Sequence, residues 1–277
     1  MLRKRFLCRG LTIPIHLTVQ PRIWEEAHQE ELAWVEQRLR QELNVSPLVA
    51  KLLAQRGVTT FDEAYAFFRP SLAMLHDPYQ LRDMERAVIR LQEAIREGES
   101  ILVYGDYDVD GTTSVALVYS FLRDLGVATD YYIPDRQLEG YGISTQGVRY
   151  AAENGFRLVI ALDCGIKAVE QMELATSLGV EFIICDHHLP GDVLPQTLAV
   201  IDPKRGDCHY PFKELSGCGV GFKLLQAYAM REGLPLESAY RYLDLVAVST
   251  AADIVQMRGE NRVLTHFGLE RLNSSPS

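Results

Sequence analysis

Three short apolar runs in the sequence each end in an aspartate, and further candidate metal ligands follow two of them. Asp106 opens the segment Asp-Tyr-Asp-Val-Asp-Gly, Asp163 ends the second run, and Asp186 is followed directly by His187 and His188. Carboxylate and imidazole groups bind divalent metal ions and exchange protons. These residue types could therefore perform metal-assisted or acid–base chemistry, provided that the fold collects them at one place.

The elements around these residues predict how they are collected. We expect strands at 101–104, 129–133, 158–162, 182–185 and 198–201, helices between them at 112–125, 144–154 and 166–178, and helical stretches afterwards at 220–231 and 236–252. This alternation predicts an α/β fold, with a Rossmann-like parallel sheet and helices on both faces. Ligands of open parallel sheets bind beyond the carboxyl ends of the strands, so we expect the three aspartates to share one edge.

The predicted edge would gather at least five carboxylates and two imidazoles. Unpaired, these acidic groups would repel one another, and some would have to stay protonated. Oxygen-rich ligation with imidazole suits Mn²⁺ or Mg²⁺ better than a closed structural zinc site. The carboxylates exceed the needs of one ion. The set therefore predicts two ions about 4 Å apart, an arrangement that hydrolyses phosphate esters.

The same residues allow other interpretations. An aspartate after a strand often only caps the next helix. Asp-x-Asp-x-Asp-Gly also opens calcium-binding loops, but Leu117 stands where such a loop needs glutamate, and a strand precedes instead of a helix. The glycine-rich segment 216–221 could cradle a phosphate, or it could allow helices to pack closely.

Composition limits the class of protein. The chain has 277 residues, 47% hydrophobic and 23% charged, with a net charge of −9, which indicates a globular fold without a broad cationic surface. Its five cysteines form no CxxC pair, which favours a reducing, cytoplasmic location over a disulfide framework. An unbroken apolar run long enough for a membrane helix is absent, and Arg9 and Gly10 interrupt the start, which argues against a signal peptide.

The first part of the chain is expected to be helical. Residues 1–99 are predicted as an N-terminal helical region and 100–277 as the sheet domain. The signals are an amphipathic helix over Trp24–Leu43, a Ser46–Pro47 helix start, a capping box over Thr60–Glu63, and a helix over Met84–Glu97 that Gly98 ends.

Four segments, in order along the chain, resemble the motifs of the DHH phosphoesterase superfamily: Gly105–Gly111, Leu162–Gly165, Asp186–His188 and Ala252–Val255. Flanking segments narrow the resemblance to its bacterial exonucleases specific for single-stranded DNA: Ile133–Arg136, Glu139–Gly142, Tyr210–Lys213, Gly219–Leu224 and Glu260–Arg262. The resemblance covers residue 24 to the last residue. It implies a metal-dependent 5′-to-3′ exodeoxyribonuclease of DNA repair and recombination, with repair proteins such as a helicase or a single-strand-binding protein as partners.

The resemblance also implies roles for individual residues. The implied ligands of two Mn²⁺ or Mg²⁺ ions are Asp106, Asp108, Asp110, Asp163, His187 and Asp253. Asp163 would bridge the ions, and Asp253 would complete the shell of the ion that His187 binds. The implied catalytic residues are His188, which would donate to the scissile phosphate, and Asp186, which would orient the histidines. Arg136 and Arg262 are candidates for binding DNA phosphates.

Two alternatives to this function stay open. The same chemistry could act on oligoribonucleotides or cyclic dinucleotides, or the chain could be a non-catalytic scaffold of this fold. Relatives in the superfamily continue into a second DHH-associated domain and an oligonucleotide-binding barrel, whereas this sequence ends at Ser277. We therefore expect a truncated chain with reduced activity that interacts with single-stranded DNA and not with a membrane.

Overall fold

The computed structural model describes residues 32–277, so the predicted helix from Trp24 lies partly outside the described residues, as do Arg9 and Gly10. The helices are α1 (Ala33–Leu43), α2 (Pro47–Gln55), α3 (Phe61–Phe68), α4 (Met84–Glu97), α5 (Val109–Asp124), α6 (Thr145–Glu153), α7 (Val169–Ser177), α8 (Gly217–Glu232), α9 (Glu237–Tyr240), α10 (Leu243–Ala252) and α11 (Gly259–Ser274). The strands are β1 (Ile101–Gly105), β2 (Thr129–Tyr132), β3 (Leu158–Leu162), β4 (Glu181–Cys185) and β5 (Ala199–Ile201). Two short 3₁₀ helices cover Leu72–Met74 and Pro78–Gln80.

The strands form one parallel sheet in the order β2-β1-β3-β4-β5. The chain leaves β1 toward β2 at one side and then crosses to β3 at the other side. The carboxyl ends of β1 and β3 are therefore the point where the direction of winding reverses, which is where open α/β sheets bind ligands.

Each face of the sheet has its own buried core, because successive strand residues point to opposite faces. On one face, Ile101, Val103 and Ile160 pack with residues of α4, α5, α8 and α10. On the other face, Leu102 and Val159 pack with residues of α6 and α7. The predicted α/β fold with helices on both faces is confirmed.

Four predicted helices differ from the observed ones. The helix predicted over 112–125 begins at Val109, because Asp108 caps it by accepting from the amide of Gly111. The helix predicted over 166–178 begins only at Val169, because Asp163 and Gly165 have positive φ angles of 59° and 112° and turn the chain first. The stretch predicted over 236–252 is broken between α9 and α10, near Tyr242. Helix α8 begins at Gly217, three residues before the predicted start, since Ser216 caps it by accepting from the amide of Gly219.

The chain divides into two compact units, residues 1–64 and 65–277. In the first, α1 packs with α2, and the predicted start of α2 is confirmed because Ser46 Oγ accepts from the amide of Val49. The capping box is also confirmed: the Glu63 amide donates to Thr60 Oγ1 and the Thr60 amide donates to Glu63 Oε2. The proposed domain boundary at residue 99 stays a prediction.

The second unit, Tyr65–Ser277, contains α4 and the whole sheet. The helix predicted over Met84–Glu97 is confirmed, and Gly98 ends it in the left-handed conformation. Within residues 32–277, every helix is too short or too polar to cross a bilayer.

Candidate metal centre

The carboxyl ends of β1, β3 and β4 bring the predicted acidic residues to one edge of the sheet. Asp106 directly follows β1, Asp163 follows β3 and Asp186 follows β4. All three side chains are buried, with at most 1% of their surface exposed. Two groups of side chains at this edge could each hold a metal ion: Asp163, His187 and His188, and Asp110, His187 and Asp253.

His187 is common to both groups, and its Nε2 atom lies among three carboxylates. Nε2 lies 3.2 Å from Asp163 Oδ1, 3.6 Å from Asp110 Oδ2 and 3.6 Å from Asp253 Oδ2. Although the 3.2 Å distance is short, its geometry does not make a hydrogen bond, and Nε2 has no hydrogen-bond partner in the described residues. Nε2 is thus surrounded by ligand atoms and bonded to none of them.

A backbone carbonyl decides which nitrogen of His187 carries the proton. Nδ1 lies 3.0 Å from the carbonyl oxygen of Leu215, which can only accept, so the proton is on Nδ1. In the neutral ring, the form that binds metals, the lone pair is therefore on Nε2, the atom that faces the carboxylates. A second hydrogen bond of this kind is what orients metal-binding histidines in general.

Asp110 is held by the first turn of α8. The amide of Gly217 donates to Asp110 Oδ2 at 2.7 Å, and the amide of Cys218 donates to Oδ1 at 2.8 Å. The hydroxyl of Ser249 donates to Oδ1 at 2.7 Å. The glycine-rich segment therefore binds a carboxylate of the chain itself with the amides that we considered for a phosphate, and its positive helix end favours that negative group.

Gly217 also brings α8 close to Asp163. A Cβ atom at Gly217 would lie 2.6 Å from both Cβ and Oδ1 of Asp163, so only glycine fits this backbone position. Sequence reasoning offered close helix packing as one role of the segment, and this contact is of that kind. The partner, however, is a predicted metal ligand and not another helix.

Asp163 combines backbone strain with an unfavourable electrostatic position. Its φ of 59° is uncommon outside glycine, and its Oδ1 is buried without a hydrogen-bond partner in the described residues. Burial, with added repulsion from Asp110, Asp108 and Asp186, raises the pKa of Asp163 to about 10. Without a cation, this side chain keeps its proton at neutral pH.

The raised pKa of Asp163 predicts metal binding that depends on pH. A carboxylate must lose its proton before it can bind a metal ion, so a metal competes with one proton at Asp163. Between pH 6 and 8, the apparent affinity for Mn²⁺ should rise about tenfold per pH unit. Calorimetric titrations in buffers of different ionisation enthalpy would measure both the affinity and the released proton. An affinity independent of pH over this range would contradict the assignment.

Asp186 and His188 form a second hydrogen-bonded unit beside the first. Asp186 accepts from the His188 ring Nδ1 at 2.7 Å, and from the amides of Ile166, His187 and His188. Burial alone would raise the pKa of Asp186, but the His188 ring and these amides outweigh it and hold the pKa below its usual value. In turn, the hydrogen bond to Asp186 raises the pKa of His188, which favours the charged imidazolium.

Tyr141 contacts His188 from the opposite side. The Tyr141 hydroxyl lies 3.0 Å from His188 Nε2, the nitrogen that Asp186 leaves available. Sequence reasoning placed Tyr141 only within the flanking segment Glu139–Gly142. The Gly-Tyr-Gly sequence was the available signal, because Gly140 and Gly142 have positive φ angles of 84° and turn the loop around this tyrosine.

The other predicted ligands lie at the same edge with different surroundings. Asp253 ends α10 and faces His187, and burial raises its pKa. Asp106 is buried, its Oδ2 lacks a partner in the described residues, and burial raises its pKa as well. Asp108 is exposed and caps α5 by accepting from the Gly111 amide at 2.9 Å. Neither of the two groups above includes Asp106 or Asp108, and metal ligation by all six predicted residues stays a prediction.

The two predicted DNA-binding arginines have different environments. Arg136 is exposed, and its guanidinium lies 5.2 Å from the ring centre of Tyr107, which in turn contacts the ring of Tyr141. Arg262 instead donates from Nε to the carbonyl of Phe67 and lies 3.6 Å from that residue's ring centre. Aromatic contacts thus link Arg136 to the His188 side of the site, whereas these contacts of Arg262 are to Phe67. Both roles stay predictions.

The residues present fit a pair of hard divalent cations. Three buried atoms of the predicted ligands lack a hydrogen-bond partner in the described residues: Asp106 Oδ2, Asp163 Oδ1 and His187 Nε2. A buried polar atom without a partner is costly, and a cation would satisfy all three. Carboxylate oxygens and one neutral imidazole form a donor set suited to Mn²⁺ or Mg²⁺.

Comparison with known sequences gives a consistent result. Residues 100–250 match the N-terminal domain of the DHH family. The single-stranded-DNA-specific exonuclease RecJ of Bacillus subtilis (strain 168) is 45% identical over 234 residues, which are 84% of this chain and 29% of that protein. RecJ of Escherichia coli (strain K12) is 39% identical over 238 residues, 82% of this chain and 41% of that protein. The chain therefore spans less than half the length of these curated relatives.

Solved structures are similar over the same region. RecJ from Thermus thermophilus, in complex with Mn²⁺, has a TM-score of 0.72 and 33% identity over 87% of this chain and 34% of that one. An exonuclease RecJ bound to manganese has a TM-score of 0.66 and 38% identity over 74% of this chain and 51% of that one. These similarities confirm the resemblance that the four sequence motifs predicted.

Proposed function

Because the chain belongs to the DHH family, we propose that it carries the two-metal phosphodiesterase centre of an exonuclease that degrades single-stranded DNA from its 5′ end. The observation that carries the proposal is the position of His187 Nε2, which lies within 3.6 Å of three carboxyl groups. The names of the relatives, single-stranded-DNA-specific exonucleases, support the choice of substrate.

We propose that Asp110, Asp163, His187 and Asp253 would hold the ions, with Asp106 and Asp108 assisting. The Mn²⁺ or Mg²⁺ complexes of the related structures support these cofactors. When bound, such ions polarise phosphate oxygens and activate water for attack on phosphorus. The chain's own contribution is to arrange deprotonated oxygens, which α8 does for Asp110 through two amides.

His188 and Asp186 would act on the phosphate itself. Asp186 accepts from Nδ1 of His188, so the ring presents Nε2 toward the site. The raised pKa of His188 favours the imidazolium, in which that nitrogen carries a proton and would donate to a phosphate oxygen, stabilising the charge that develops there. A phosphate that binds Nε2 would have to displace the hydroxyl of Tyr141, since one N–H points in one direction.

Arg136 is the stronger of the two candidates for binding DNA phosphates, because it is exposed and its guanidinium lies over the ring of Tyr107, which in turn contacts the ring of Tyr141. A guanidinium matches the geometry of a phosphate, and aromatic rings can stack on bases. Helicases and single-strand-binding proteins are proposed partners. A cytoplasmic location is also proposed, and the buried free thiols of Cys164, Cys185, Cys208 and Cys218 are compatible with it.

An assay on labelled substrates tests the function. With Mn²⁺, the 277-residue chain should release mononucleotides from single-stranded DNA, and it should act less on duplex DNA. The His188→Ala variant should still bind Mn²⁺ through Asp110, His187 and Asp253, and it should lose at least about 100-fold in rate, as expected for a group that stabilises developing charge. Faster hydrolysis of short RNA or cyclic dinucleotides than of single-stranded DNA would favour the alternative of a phosphoesterase that acts on those substrates. Normal Mn²⁺ binding without hydrolysis of any of these substrates would favour the scaffold.

A further inference from the structure

Ser249 is a buried hydroxyl beside the metal centre that the proposed reaction does not use. It lies in α10, one turn before Asp253, and its side chain is fully buried. Its Oγ is 2.7 Å from Asp110 Oδ1 and 2.7 Å from the Oγ of Ser216. The hydroxyl therefore joins a predicted metal ligand to the residue that caps α8.

The direction of each hydrogen bond in this chain follows from its two ends. A hydroxyl has one proton, and a carboxylate oxygen accepts, so Ser249 donates to Asp110. The Ser249 oxygen must then accept from the hydroxyl of Ser216. Ser216 in turn accepts from the amide of Gly219 at 3.1 Å. This series of hydrogen bonds begins at a backbone N–H, which can only donate, so the direction of every bond in the series is fixed.

This arrangement makes the two oxygens of Asp110 unequal. Oδ1 accepts from the Cys218 amide and from Ser249, which occupy both of its lone-pair directions. Oδ2 accepts only from the Gly217 amide and lies 3.6 Å from His187 Nε2. A single lone pair of Asp110, on Oδ2, is therefore left for a cation.

We propose that Ser249 is a positioning residue that restricts Asp110 to ligation through Oδ2 and thereby favours Mn²⁺ and Mg²⁺ over Ca²⁺. This inference rests on the metal centre of the proposed function. Ca²⁺ takes six to eight oxygens and commonly binds both oxygens of one carboxylate, whereas Mg²⁺ requires six ligands in a near-ideal octahedron. A carboxylate with one blocked oxygen supplies a single ligand atom, which suits the six-coordinate ions better than Ca²⁺.

Calorimetric titration of the metal-free 277-residue chain with Mn²⁺ and, separately, with Ca²⁺ tests the proposal. Ser249→Ala frees one lone pair of Oδ1, while the two amides of α8 still hold the carboxylate. Changing a residue that orients a ligand costs about 10–100-fold in affinity, so Mn²⁺ should bind about tenfold more weakly. The affinity for Ca²⁺ should fall by a smaller factor or should rise. The preference for Mn²⁺ over Ca²⁺, measured as the ratio of the two dissociation constants, should therefore become smaller.

Ser114→Ala is the matched control. Ser114 is also a fully buried serine bonded to Asp110, but its hydroxyl donates to the backbone carbonyl at 2.7 Å and not to the carboxylate. Ser114→Ala should leave the ratio of the Mn²⁺ and Ca²⁺ dissociation constants unchanged. Should Ser249→Ala fail to fold, Ser249→Cys replaces the hydroxyl by a weaker donor and should narrow the ratio in the same direction.

The outcomes separate this inference from the function on which it rests. Wild-type protein that does not bind Mn²⁺ would overturn the metal centre and the inference together. Wild-type protein that binds Mn²⁺, with an unchanged ratio in the Ser249 variant that folds, would overturn the inference alone. A ratio that narrows equally in Ser114→Ala would also overturn it, because the effect would then come from packing and not from the blocked oxygen.

Discussion

Replacing Asp163 with asparagine should abolish tight Mn²⁺ binding and, at the same time, stabilise the metal-free protein. The affinity should fall by more than about 100-fold, since changes to residues outside the ligand set already cost about 10–100-fold. The melting temperature without metal should rise by several degrees at neutral pH. Titration calorimetry and thermal unfolding of the same samples would measure both effects.

The stabilisation follows from the raised pKa of Asp163. The unfolded chain loses this proton near the ordinary value of 3.8, whereas the folded chain keeps it up to about pH 10. Folding therefore takes up a proton across this window, and the metal-free protein loses stability as the pH rises through it. Asparagine has no proton to lose, so the advantage of the variant should grow between pH 5 and 9.

Asp202→Asn provides the matched control. Asp202 directly follows β5, is fully buried with its Oδ2 unpartnered in the described residues, and has a pKa that burial raises to about 7. It lies outside both groups that could hold a metal. This variant should also be stabilised at high pH but should keep its Mn²⁺ affinity. Equal losses of affinity in both variants would contradict the role of Asp163.

The Gly217→Ala variant should disrupt the metal centre without changing a single ligand. Its new methyl group would lie 2.6 Å from Asp163 Cβ and Oδ1, closer than such atoms approach, so either α8 or Asp163 must move. Overpacking of this kind costs about 1–3 kcal/mol in stability. Since the Gly217 amide also holds Asp110, the Mn²⁺ affinity should fall by about 10–100-fold.

A neighbouring glycine in the same turn of α8 gives a sharp comparison. A Cβ atom at Gly219 would meet Leu215 and Ser216 at 3.4–3.5 Å, which is ordinary contact. Gly219→Ala should therefore keep its Mn²⁺ affinity, and its stability should stay the same or rise by up to about 1 kcal/mol, since alanine favours helix. If both variants bind Mn²⁺ as tightly as the wild type, the close approach of α8 does not shape the site.

Much of the fold and part of the site could be predicted from local patterns. Apolar runs that end in aspartate predicted the strands, and the geometry of parallel sheets placed Asp106, Asp163 and Asp186 at a shared edge. The start of α7 was wrong because the positive φ of Asp163 depends on what surrounds it. Asp253 ends a helix, so no strand rule could have found it, and only the resemblance to a family identified it.

The groups that organise the ligands could not be predicted, because they come from distant parts of the chain. The amide of Gly217 reaches Asp110 across 107 residues, and Ser249 reaches it across 139 residues. Such contacts depend on how α8 and α10 pack over the ends of the strands. The apolar composition of these helices predicts that they are buried, but it does not predict which of their polar groups meet a carboxylate.

The carbonyl of Leu215, which fixes the proton of His187, belongs to the main chain and is present whatever side chain occupies that position. Substitutions of the side chain at residue 215 can therefore leave the imidazole correctly oriented, as long as the backbone conformation does not change. A substitution of the side chain cannot remove this oxygen. Scanning mutagenesis of side chains would pass over it, and an ester substitution that weakens this one oxygen as an acceptor would be needed to reveal it.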